Sequence, residues 1–183
     1  MLISPQLFLP FYIPFLLIAT YERITKTFFK KQTKQTQVIK YKWLYVVLLL
    51  SYIAIVLFSV SEYFLGIHSV EFLPSTVGLL IFSCGVWLRN MAMNDLGENW
   101  SNNTEIKEGH RLITTGIYHF LRHPYYFAIT LELMGLCLLS NAYYSLILVF
   151  AIQAPLLLVR IFLEERMLIK HFGIQYKQYI NHT

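Results

Sequence analysis

Long uncharged stretches alternate with short charged ones along the whole chain. A helix that crosses the hydrocarbon core of a bilayer needs about 20 mostly apolar residues, with a usual range of roughly 17 to 25. Uncharged stretches near this length predict five membrane-spanning helices, at residues 2–20, 43–61, 72–88, 125–139 and 142–159. Only Ser140 and Asn141 separate the last two stretches, so these spans are predicted to form an antiparallel hairpin.

The composition supports a membrane protein. Hydrophobic residues make up 56% of the chain and charged residues 14%, whereas soluble domains carry about 25% charge. The two cysteines, Cys84 and Cys137, lie inside apolar stretches and offer neither a disulfide scaffold nor a paired-cysteine zinc site. We therefore predict an all-α integral membrane protein that forms a single membrane domain over residues 1–183.

The basic residues are segregated between the predicted spans. All 15 Lys and Arg fall within three segments, at residues 21–42, 89–124 and 160–180. The other two connections, 62–71 and 140–141, contain none. Because cytoplasmic loops of membrane proteins carry an excess of Lys and Arg, this pattern predicts an N-terminus outside the cell or compartment and a C-terminus in the cytoplasm.

Polar and aromatic residues with chemical potential concentrate in the second half of the chain. Residues 1–93 are predicted to be a scaffold of three spans. Residues 94–183 are predicted to hold a catalytic loop, the helical hairpin and a C-terminal helix, with the active site on the cytoplasmic side. Apolar residues at helical spacing over 160–180 predict that the fifth span continues out of the membrane and becomes amphipathic.

The most informative string is Gly-Ile-Tyr-His-Phe-Leu-Arg-His-Pro-Tyr-Tyr at residues 116–126. Proline disfavours a helical conformation in the preceding residue and is tolerated at the first position of a helix. Pro124 therefore predicts that His123 lies at the mouth of the fourth span. The alternative interpretation is that Arg122 and His123 only reach toward lipid headgroups. His119 and His123 have the spacing of a helical metal pair, but Pro124 interrupts that helix, and no metal site is predicted.

A second group of charged residues follows the fifth span. Arg160 and Glu164 are four residues apart and share one helix face, so an intrahelical ion pair is one interpretation. A functional site is the other, because Arg160 ends an uncharged span, where ionisable groups are costly and tend to be functional. Glu165 supplies a second carboxylate that a simple pair does not need.

Glu132 falls in the middle of the fourth span. An acid within a membrane span is a functional candidate. The alternative is a neutral side chain that is hydrogen-bonded to a neighbouring helix. The sequence favours neither interpretation.

Four short strings, taken in chain order, resemble the isoprenylcysteine carboxyl methyltransferase family. They are Gly-Ile-Tyr at 116–118, Arg-His-Pro-x-Tyr at 122–126, Glu-Glu-x-x-Leu at 164–168 and Phe-Gly-x-x-Tyr-x-x-Tyr at 172–179. The resemblance extends over about residues 94–179. It implies a membrane enzyme that uses S-adenosyl-L-methionine, with this cofactor enclosed by the last two spans, the loop before them and the C-terminal helix.

The resemblance also implies the residues of the site. Arg160 would contact the acceptor substrate. The cofactor contacts would fall on Asn103, His110, Arg111, Leu112, Ile113, Tyr118, His123, Pro124, Tyr125, Tyr126 and Glu164. The Glu164 carboxylate suits the cofactor's ammonium group, and the rings of Tyr118 and Tyr126 suit its sulfonium or adenine. Helix N-terminal amides after Pro124 suit its carboxylate.

The sequence does not identify the methyl acceptor. A carboxylate or a hydroxyl of a small lipophilic or lipidated molecule would fit. Membrane lipids are expected as further partners, and nucleic acid is not. A carboxylate acceptor needs no general base, since its ordinary pKa is about 4. A hydroxyl would need one, and His119 or Glu165 is the candidate. The alternatives are a phospholipid amine N-methyltransferase, a membrane reductase of the steroid-reductase type with a nicotinamide cofactor, and a membrane adaptor without enzymatic activity.

Overall fold

A computed structural model describes residues 2–28, 42–66, 70–97, 100 and 112–183. Within this part of the chain nearly all residues are helical, which confirms the all-α prediction. The helices are α1 (Pro5–Phe28), α2 (Lys42–Leu65), α3 (Phe72–Leu96), α4 (Pro124–Leu139), α5 (Tyr143–Leu148), α6 (Ala154–Phe172) and α7 (Ile174–His182). Two two-residue strands, β1 (Leu2–Ile3) and β2 (Val70–Glu71), pair in antiparallel orientation.

Four helices in the described part of the chain are long and apolar enough to cross a bilayer. They cover Gln6–Lys26, Lys42–Leu65, Phe72–Leu96 and Tyr143–Phe172, with mean hydropathies between 1.4 and 2.5. The chain is therefore a multi-pass membrane protein. The first of these helices extends beyond residue 20, where the sequence predicted its span to end, because the charges that follow are paired inside the protein.

The predicted fourth span corresponds to α4. This helix is apolar but has 16 residues, and at 1.5 Å per residue it is about 24 Å long, less than the roughly 30 Å of a hydrocarbon core. A fifth crossing of the membrane therefore stays a prediction.

The predicted fifth span forms the longest continuous helical segment. It comprises α5, a π-helical stretch at Val149–Gln153, and α6. The segment runs past residue 159, where its uncharged stretch ends, to Phe172. Gly173 then adopts a positive φ of 57° and separates α6 from α7. The side chains of Tyr176 and Tyr179 are buried on one face of α7.

Glycines allow α3 and α4 to approach at backbone distance. A Cβ atom at Gly78 would lie 2.3 Å from the backbone nitrogen of Leu139, and one at Gly135 would lie 2.4 Å from the backbone nitrogen of Phe82. Small residues at helix interfaces permit such close packing within membranes. This contact fixes the position of α4, whose first turn carries the candidate site.

The turn between α4 and α5 is tied to the neighbouring helices. Asn141 has a positive φ of 56°, accepts a hydrogen bond from the Glu71 backbone N–H at 2.8 Å and donates one to Ser75 Oγ at 2.8 Å. The Glu62 carboxylate accepts hydrogen bonds from the N–H groups of Tyr144 and Ser145 at 3.0 and 2.9 Å, so it caps the start of α5. The predicted hairpin is thereby held at its tip.

Candidate active site

The segment before α4 turns sharply at Gly116. This glycine has a φ of 64° and begins a short 3₁₀ helix at Gly116–His119. Asp95, near the end of α3, accepts a hydrogen bond from the Ile117 N–H at 2.7 Å. A Cβ atom at Gly116 would lie 2.1 Å from Asp95 Oδ2, so both the backbone conformation and the close carboxylate require glycine here.

Helix α4 begins at Pro124, as its sequence position predicts, and His123 is the N-cap residue. The predicted break between His119 and His123 is also observed, because the 3₁₀ helix ends at His119. The His123 ring stacks on Tyr126 with ring centroids 5.8 Å apart. The start of α4 therefore places two predicted site residues against each other.

A single hydroxyl connects α4 to two charged residues of α6. The Tyr126 hydroxyl donates a hydrogen bond to Glu164 Oε2, and it accepts one from Arg160 Nε at 2.8 Å. The guanidinium of Arg160 also lies 5.5 Å from the centroid of the Tyr126 ring. Tyr126 thus lies between Arg160 and Glu164 and binds both. Their spacing alone suggested a simple intrahelical ion pair.

Glu165 points to the segment just before α4. Its Oε1 atom lies 3.1 Å from Arg122 Nη1 and 3.1 Å from His123 Nε2. Two consecutive acids of α6 therefore have separate partners, Glu164 with Tyr126 and Glu165 with the residues that precede Pro124. Together they attach α6 to both sides of the α4 N-terminus.

Tyrosines from α7 and the preceding loop cover the same region. The Tyr179 hydroxyl donates a hydrogen bond to the carbonyl oxygen of Tyr118. Burial raises the pKa of the Tyr118 phenol, and the nearby Glu164 carboxylate raises this pKa further. Burial and the carboxylates of Glu165 and Glu164 likewise raise the pKa of Tyr176. Both phenols are therefore neutral at physiological pH and can present uncharged faces to a cation.

Two spaces meet at the Tyr126 side chain. A small cavity of about 60 Å³ is lined by Tyr45, Tyr125, Tyr126 and Arg160, among others. A groove of about 430 Å³ lies between α4 and α6, with Arg122, His123 and Tyr126 beside apolar residues. Tyr126 and Leu157 line both spaces. These two residues lie at the boundary of the two spaces, which we call the junction.

Of the described residues of the predicted site, His123, Tyr125, Tyr126 and Arg160 line these two spaces. Tyr118, Tyr126, Arg160 and Glu164 interact with one another, while Pro124 is buried at the start of α4. Leu112 and Ile113 are half-buried. Asn103, His110 and Arg111 lie outside the described residues.

Some residues near the site were not predicted. Trp100 packs edge-on to Tyr125 at 6.3 Å between ring centroids, and Asp95 supports the Gly116 turn. The sequence signal for Asp95 is weak, since an acid at the end of a helix is common. The sequence signal for Trp100 is stronger, because a large aromatic residue within a polar segment often has a specific packing partner.

The donor set suits an organic cation better than a metal ion. No group of three His, Cys, Asp or Glu side chains that could hold a metal occurs among the residues that the structure describes. The site instead combines a carboxylate, neutral phenol rings and a guanidinium. This set fits S-adenosyl-L-methionine, because a carboxylate pairs with an ammonium and aromatic faces attract a sulfonium.

Buried Arg160 and the half-buried side chains of Tyr126 and Glu164 form a connected polar group at one end of an apolar helical hairpin, which indicates a membrane enzyme site. Comparison with known proteins identifies the class more closely. Residues 76–170 match the isoprenylcysteine carboxyl methyltransferase family. The chain belongs to this family, which confirms the resemblance seen in the sequence strings, and methyltransferases of this family use S-adenosyl-L-methionine as methyl donor.

Curated relatives support the same assignment. Protein-S-isoprenylcysteine O-methyltransferase of Schizosaccharomyces pombe is 33% identical over 107 residues, which are 57% of this chain and 44% of the relative. The Saccharomyces cerevisiae protein of the same name is 31% identical over 111 residues, or 60% of this chain and 46% of the relative. Protein-S-isoprenylcysteine O-methyltransferase B of Arabidopsis thaliana is 31% identical over 142 residues, or 70% and 68%. The match to each yeast relative spans less than half of that relative's length.

Proposed function

We propose that this protein transfers a methyl group from S-adenosyl-L-methionine to the carboxylate of a lipophilic acceptor of the prenylcysteine type. The observation that carries the proposal is the Tyr126 hydroxyl, which joins Arg160 and Glu164 at the junction of two spaces. The names of the relatives, protein-S-isoprenylcysteine O-methyltransferases, support the same acceptor class. Such an acceptor would be a lipidated protein or a small molecule with the same terminus.

The cofactor site would be formed by the residues around the start of α4. S-Adenosyl-L-methionine supplies a methyl carbon on a positively charged sulfur, and transfer to a carboxylate oxygen leaves a neutral ester and a neutral thioether. Glu164 would hold the ammonium group, and Tyr118 and Tyr126 would face the sulfonium or the adenine. The remaining cofactor contacts in this proposal are Asn103, His110, Arg111, Leu112, Ile113, His123, Pro124 and Tyr125.

Arg160 would orient the acceptor carboxylate. Arg160 is 5% exposed and lies in a membrane-spanning helix beside the small cavity. A guanidinium can bind a carboxylate through two parallel hydrogen bonds, which fixes the direction in which an oxygen points. Positioning of this kind supplies much of the rate of a bimolecular transfer, and exclusion of water favours a reaction that cancels two opposite charges.

The contacts of Glu165 favour a carboxylate over a hydroxyl acceptor. A hydroxyl would need a base, and Glu165 is already paired with Arg122 and His123. The other candidate base, His119, is exposed on the 3₁₀ helix. Membership of the family favours methyl transfer over the reductase and adaptor alternatives.

A labelling experiment tests the acceptor class. Purified protein in lipid nanodiscs would be incubated with radiolabelled S-adenosyl-L-methionine and an S-prenylated N-acetylcysteine. We expect base-labile label in the acceptor. The matched control is the same compound with a carboxamide in place of the carboxylate, which should remain unlabelled. Label in phospholipid headgroups instead would support the phospholipid amine N-methyltransferase, and base-stable label in a hydroxylated lipid would contradict the carboxylate.

Two substitutions on α6 should separate cofactor binding from turnover. Because Glu164 is proposed to hold the ammonium group, Glu164→Ala should raise the dissociation constant of S-adenosyl-L-methionine about ten- to hundredfold, as expected for a charged hydrogen bond of about 1.5–3 kcal/mol. Arg160→Ala should leave that constant within about threefold and lower kcat at saturating acceptor by at least about tenfold. Calorimetric binding and steady-state kinetics would measure the two effects. Equal effects on both quantities in both variants would contradict the assigned roles.

We also propose five spans, with the short helix α4 as the fourth of them, an N-terminus outside and a cytoplasmic amphipathic C-terminal helix. The segregation of all 15 basic residues supports this orientation, and the buried tyrosines of α7 support its amphipathic character. Residues 1–93 would be the scaffold and 94–183 the catalytic part. A protease-cleavable C-terminal tag should be cut in inside-out vesicles and protected in right-side-out ones; the reverse pattern would contradict the orientation.

A further inference from the structure

A second large cavity lies between α1 and the other helices. It has a volume of about 390 Å³. Its apolar wall comes from α1, α2, α3 and α4, and includes Leu16, Ala19, Ile53, Val56, Leu57, Phe82 and Leu136. Ile53 and Leu57 are 43% and 64% exposed, so the cavity opens sideways to the bilayer. Arg23, Leu49 and Tyr52 line both this cavity and the small cavity beside Arg160, and so lie at their boundary.

Four charged residues line the polar part of this cavity, and we call them the charge quartet: Glu22, Arg23, Arg89 and Glu132. Glu132, at 1% exposure, accepts hydrogen bonds from Arg23 Nη1 and, at 2.6 Å, from Arg89 Nε. Glu22 accepts one from Arg89 Nη2. With two guanidiniums and two carboxylates, the quartet has no net formal charge. Lys26 Nζ lies 3.8 Å from Glu22 Oε1, but Lys26 is half-exposed and is not among the residues that line the cavity.

Arg89 retains one donor that the quartet does not use. The residue is 0% exposed, and its Nη1 atom has no hydrogen-bond partner among the residues that the structure describes. An unmade hydrogen bond of a buried polar group is costly, and more so when the group is charged. Arg89 is among the residues that line the cavity, and a shift of its fully buried side chain would bring this donor to an oxygen atom of a cavity occupant.

We propose that the cavity binds an uncharged long-chain lipid that carries a carbonyl group, with the carbonyl oxygen accepting a hydrogen bond from Arg89 Nη1. The apolar wall would hold the chain, and the opening at Ile53 and Leu57 would admit it from the bilayer. A carbonyl oxygen accepts a hydrogen bond without adding a donor that needs its own partner. This lipid site is separate from the proposed acceptor site at Arg160.

The charge balance of the quartet excludes the charged alternatives. A carboxylate or phosphate headgroup would bring an unpaired negative charge into a region of low dielectric, which is strongly unfavourable. An ammonium headgroup would offer only further donors to a site that lacks an acceptor for Arg89 Nη1. The neutral carbonyl is therefore the headgroup that the contacts favour.

Photolabelling of the wild-type protein tests the headgroup selectivity. The three probes are the methyl ester of a diazirine-bearing long-chain fatty acid, the corresponding free acid and the corresponding alkylammonium, each added to protein in nanodiscs without methyl donor. We expect the ester to label peptides of α1 and α2 at least about tenfold more than either charged probe, as a difference of about 1.4 kcal/mol would give. Similar labelling by all three would indicate unselective bilayer lipid and overturn the proposal.

A matched pair of variants on α1 tests the location. Ala19 lines the cavity, so Ala19→Phe should fill part of it and reduce ester labelling at least about fivefold, because the ring would occupy space that the lipid chain needs. Ile18, at 68% exposure, is not among the residues that line the cavity, so Ile18→Phe should leave labelling unchanged. Circular dichroism would compare the folding of the two variants.

Two results would overturn the location. Unchanged labelling in a folded Ala19→Phe variant would place the lipid elsewhere. Displacement of the ester probe by an S-prenylated N-acetylcysteine would show that the cavity belongs to the acceptor site. If Ala19→Phe fails to fold, the selectivity measured on the wild-type protein and the competition by the prenylated compound still decide the proposal.

Discussion

At the scale of single residues, the Tyr126 hydroxyl binds two charged side chains that are distant from it in the sequence. Its hydroxyl acts as donor to Glu164 and as acceptor from Arg160 at 2.8 Å. A hydroxyl has one hydrogen to donate and lone pairs to accept with. Tyr126 therefore sets the direction of the Glu164 carboxylate and of the Arg160 guanidinium together, which relates the proposed cofactor contact to the proposed acceptor contact.

Removal of this hydroxyl should affect both partners. Tyr126→Phe keeps the ring that stacks on His123 but leaves Glu164 and Arg160 without their common partner. We expect kcat/KM to fall about ten- to hundredfold, since a hydrogen bond to a charged group contributes about 1.5–3 kcal/mol. Steady-state kinetics with the prenylated acceptor would measure this. Tyr144→Phe, at an exposed position, is the control, and equal activity of the two variants would contradict the role of Tyr126.

Gly116 should be intolerant of a side chain for two reasons that can be separated. Gly116→Ala meets both a positive φ and a carboxylate oxygen 2.1 Å from the new Cβ. Gly97 also has a positive φ, 53°, but its Cβ would meet no described residue within 4 Å, so Gly97→Ala measures the conformational strain alone.

We expect Gly116→Ala to lower both the thermal stability and the affinity for S-adenosyl-L-methionine, because displacement of Asp95 frees the turn that leads to Tyr118. Gly97→Ala should lower the stability only slightly and leave the affinity unchanged. Differential scanning fluorimetry and calorimetric binding would measure these effects. Similar losses of affinity in the two variants would contradict a specific role for the Asp95 contact.

At the scale of helices, the close contact of α3 and α4 should depend on glycine. Gly78→Leu would place a Cβ 2.3 Å from the backbone nitrogen of Leu139, which a backbone cannot easily avoid. Overpacking typically costs about 1–3 kcal/mol, so we expect a clearly lower midpoint of thermal unfolding. Ser83→Leu, at an exposed position of the same helix, is the control. A variant of Gly78 as stable as that of Ser83 would contradict the contact.

The sequence predicts helices better than it predicts their contacts. Apolar stretches indicate where α2 and α3 lie, because the bilayer demands length and hydrophobicity of a spanning helix. The Pro124 rule also predicts where α4 begins. Helix ends are less predictable: residue 20 is not the end of α1, since Glu22 and Arg23 find partners on other helices, and such partners are not visible in a linear scan.

For the candidate site too, the sequence predicts which helices come together but not which side chains touch. The two strings at residues 116–126 and 164–168 indicate that the start of one helix lies near the end of the next. This arrangement follows because the two helices are predicted to form a tight hairpin. The spacing of Arg160 and Glu164 predicts only that they share a face. Which side chain stands between them depends on the rotation of α4 against α6, and this rotation is set by packing that the spacing does not encode.

At the scale of the whole molecule, two sets of contacts hold α1 against the other helices. Near its N-terminus, Tyr12 packs on Tyr63 of α2 with ring centroids 4.7 Å apart, and Phe15 packs on Phe82 of α3 at 4.9 Å. Near its C-terminus, the charge quartet joins α1 to α3 and α4. Glu132 is thus hydrogen-bonded to arginines of two neighbouring helices, and a functional role for it stays a prediction.

The balance of the quartet predicts an unusual result for a double substitution. Glu132→Gln removes one carboxylate and leaves two guanidiniums against Glu22 alone, and breaking a buried ion pair costs about 3–5 kcal/mol. Arg23→Gln added to Glu132→Gln leaves the Glu22 and Arg89 pair and restores neutrality. We therefore expect the double variant to unfold at a higher temperature than Glu132→Gln alone, although it has lost more native side chains.

Thermal unfolding in nanodiscs would measure this, with Glu71→Gln, the same change at an exposed position, as a control that should unfold like the wild type. Independent sites would give additive losses, and the double variant would then be the less stable one. That result would mean that Arg23 and Glu132 do not share one electrostatic environment, and that α1 is held mainly by its aromatic contacts.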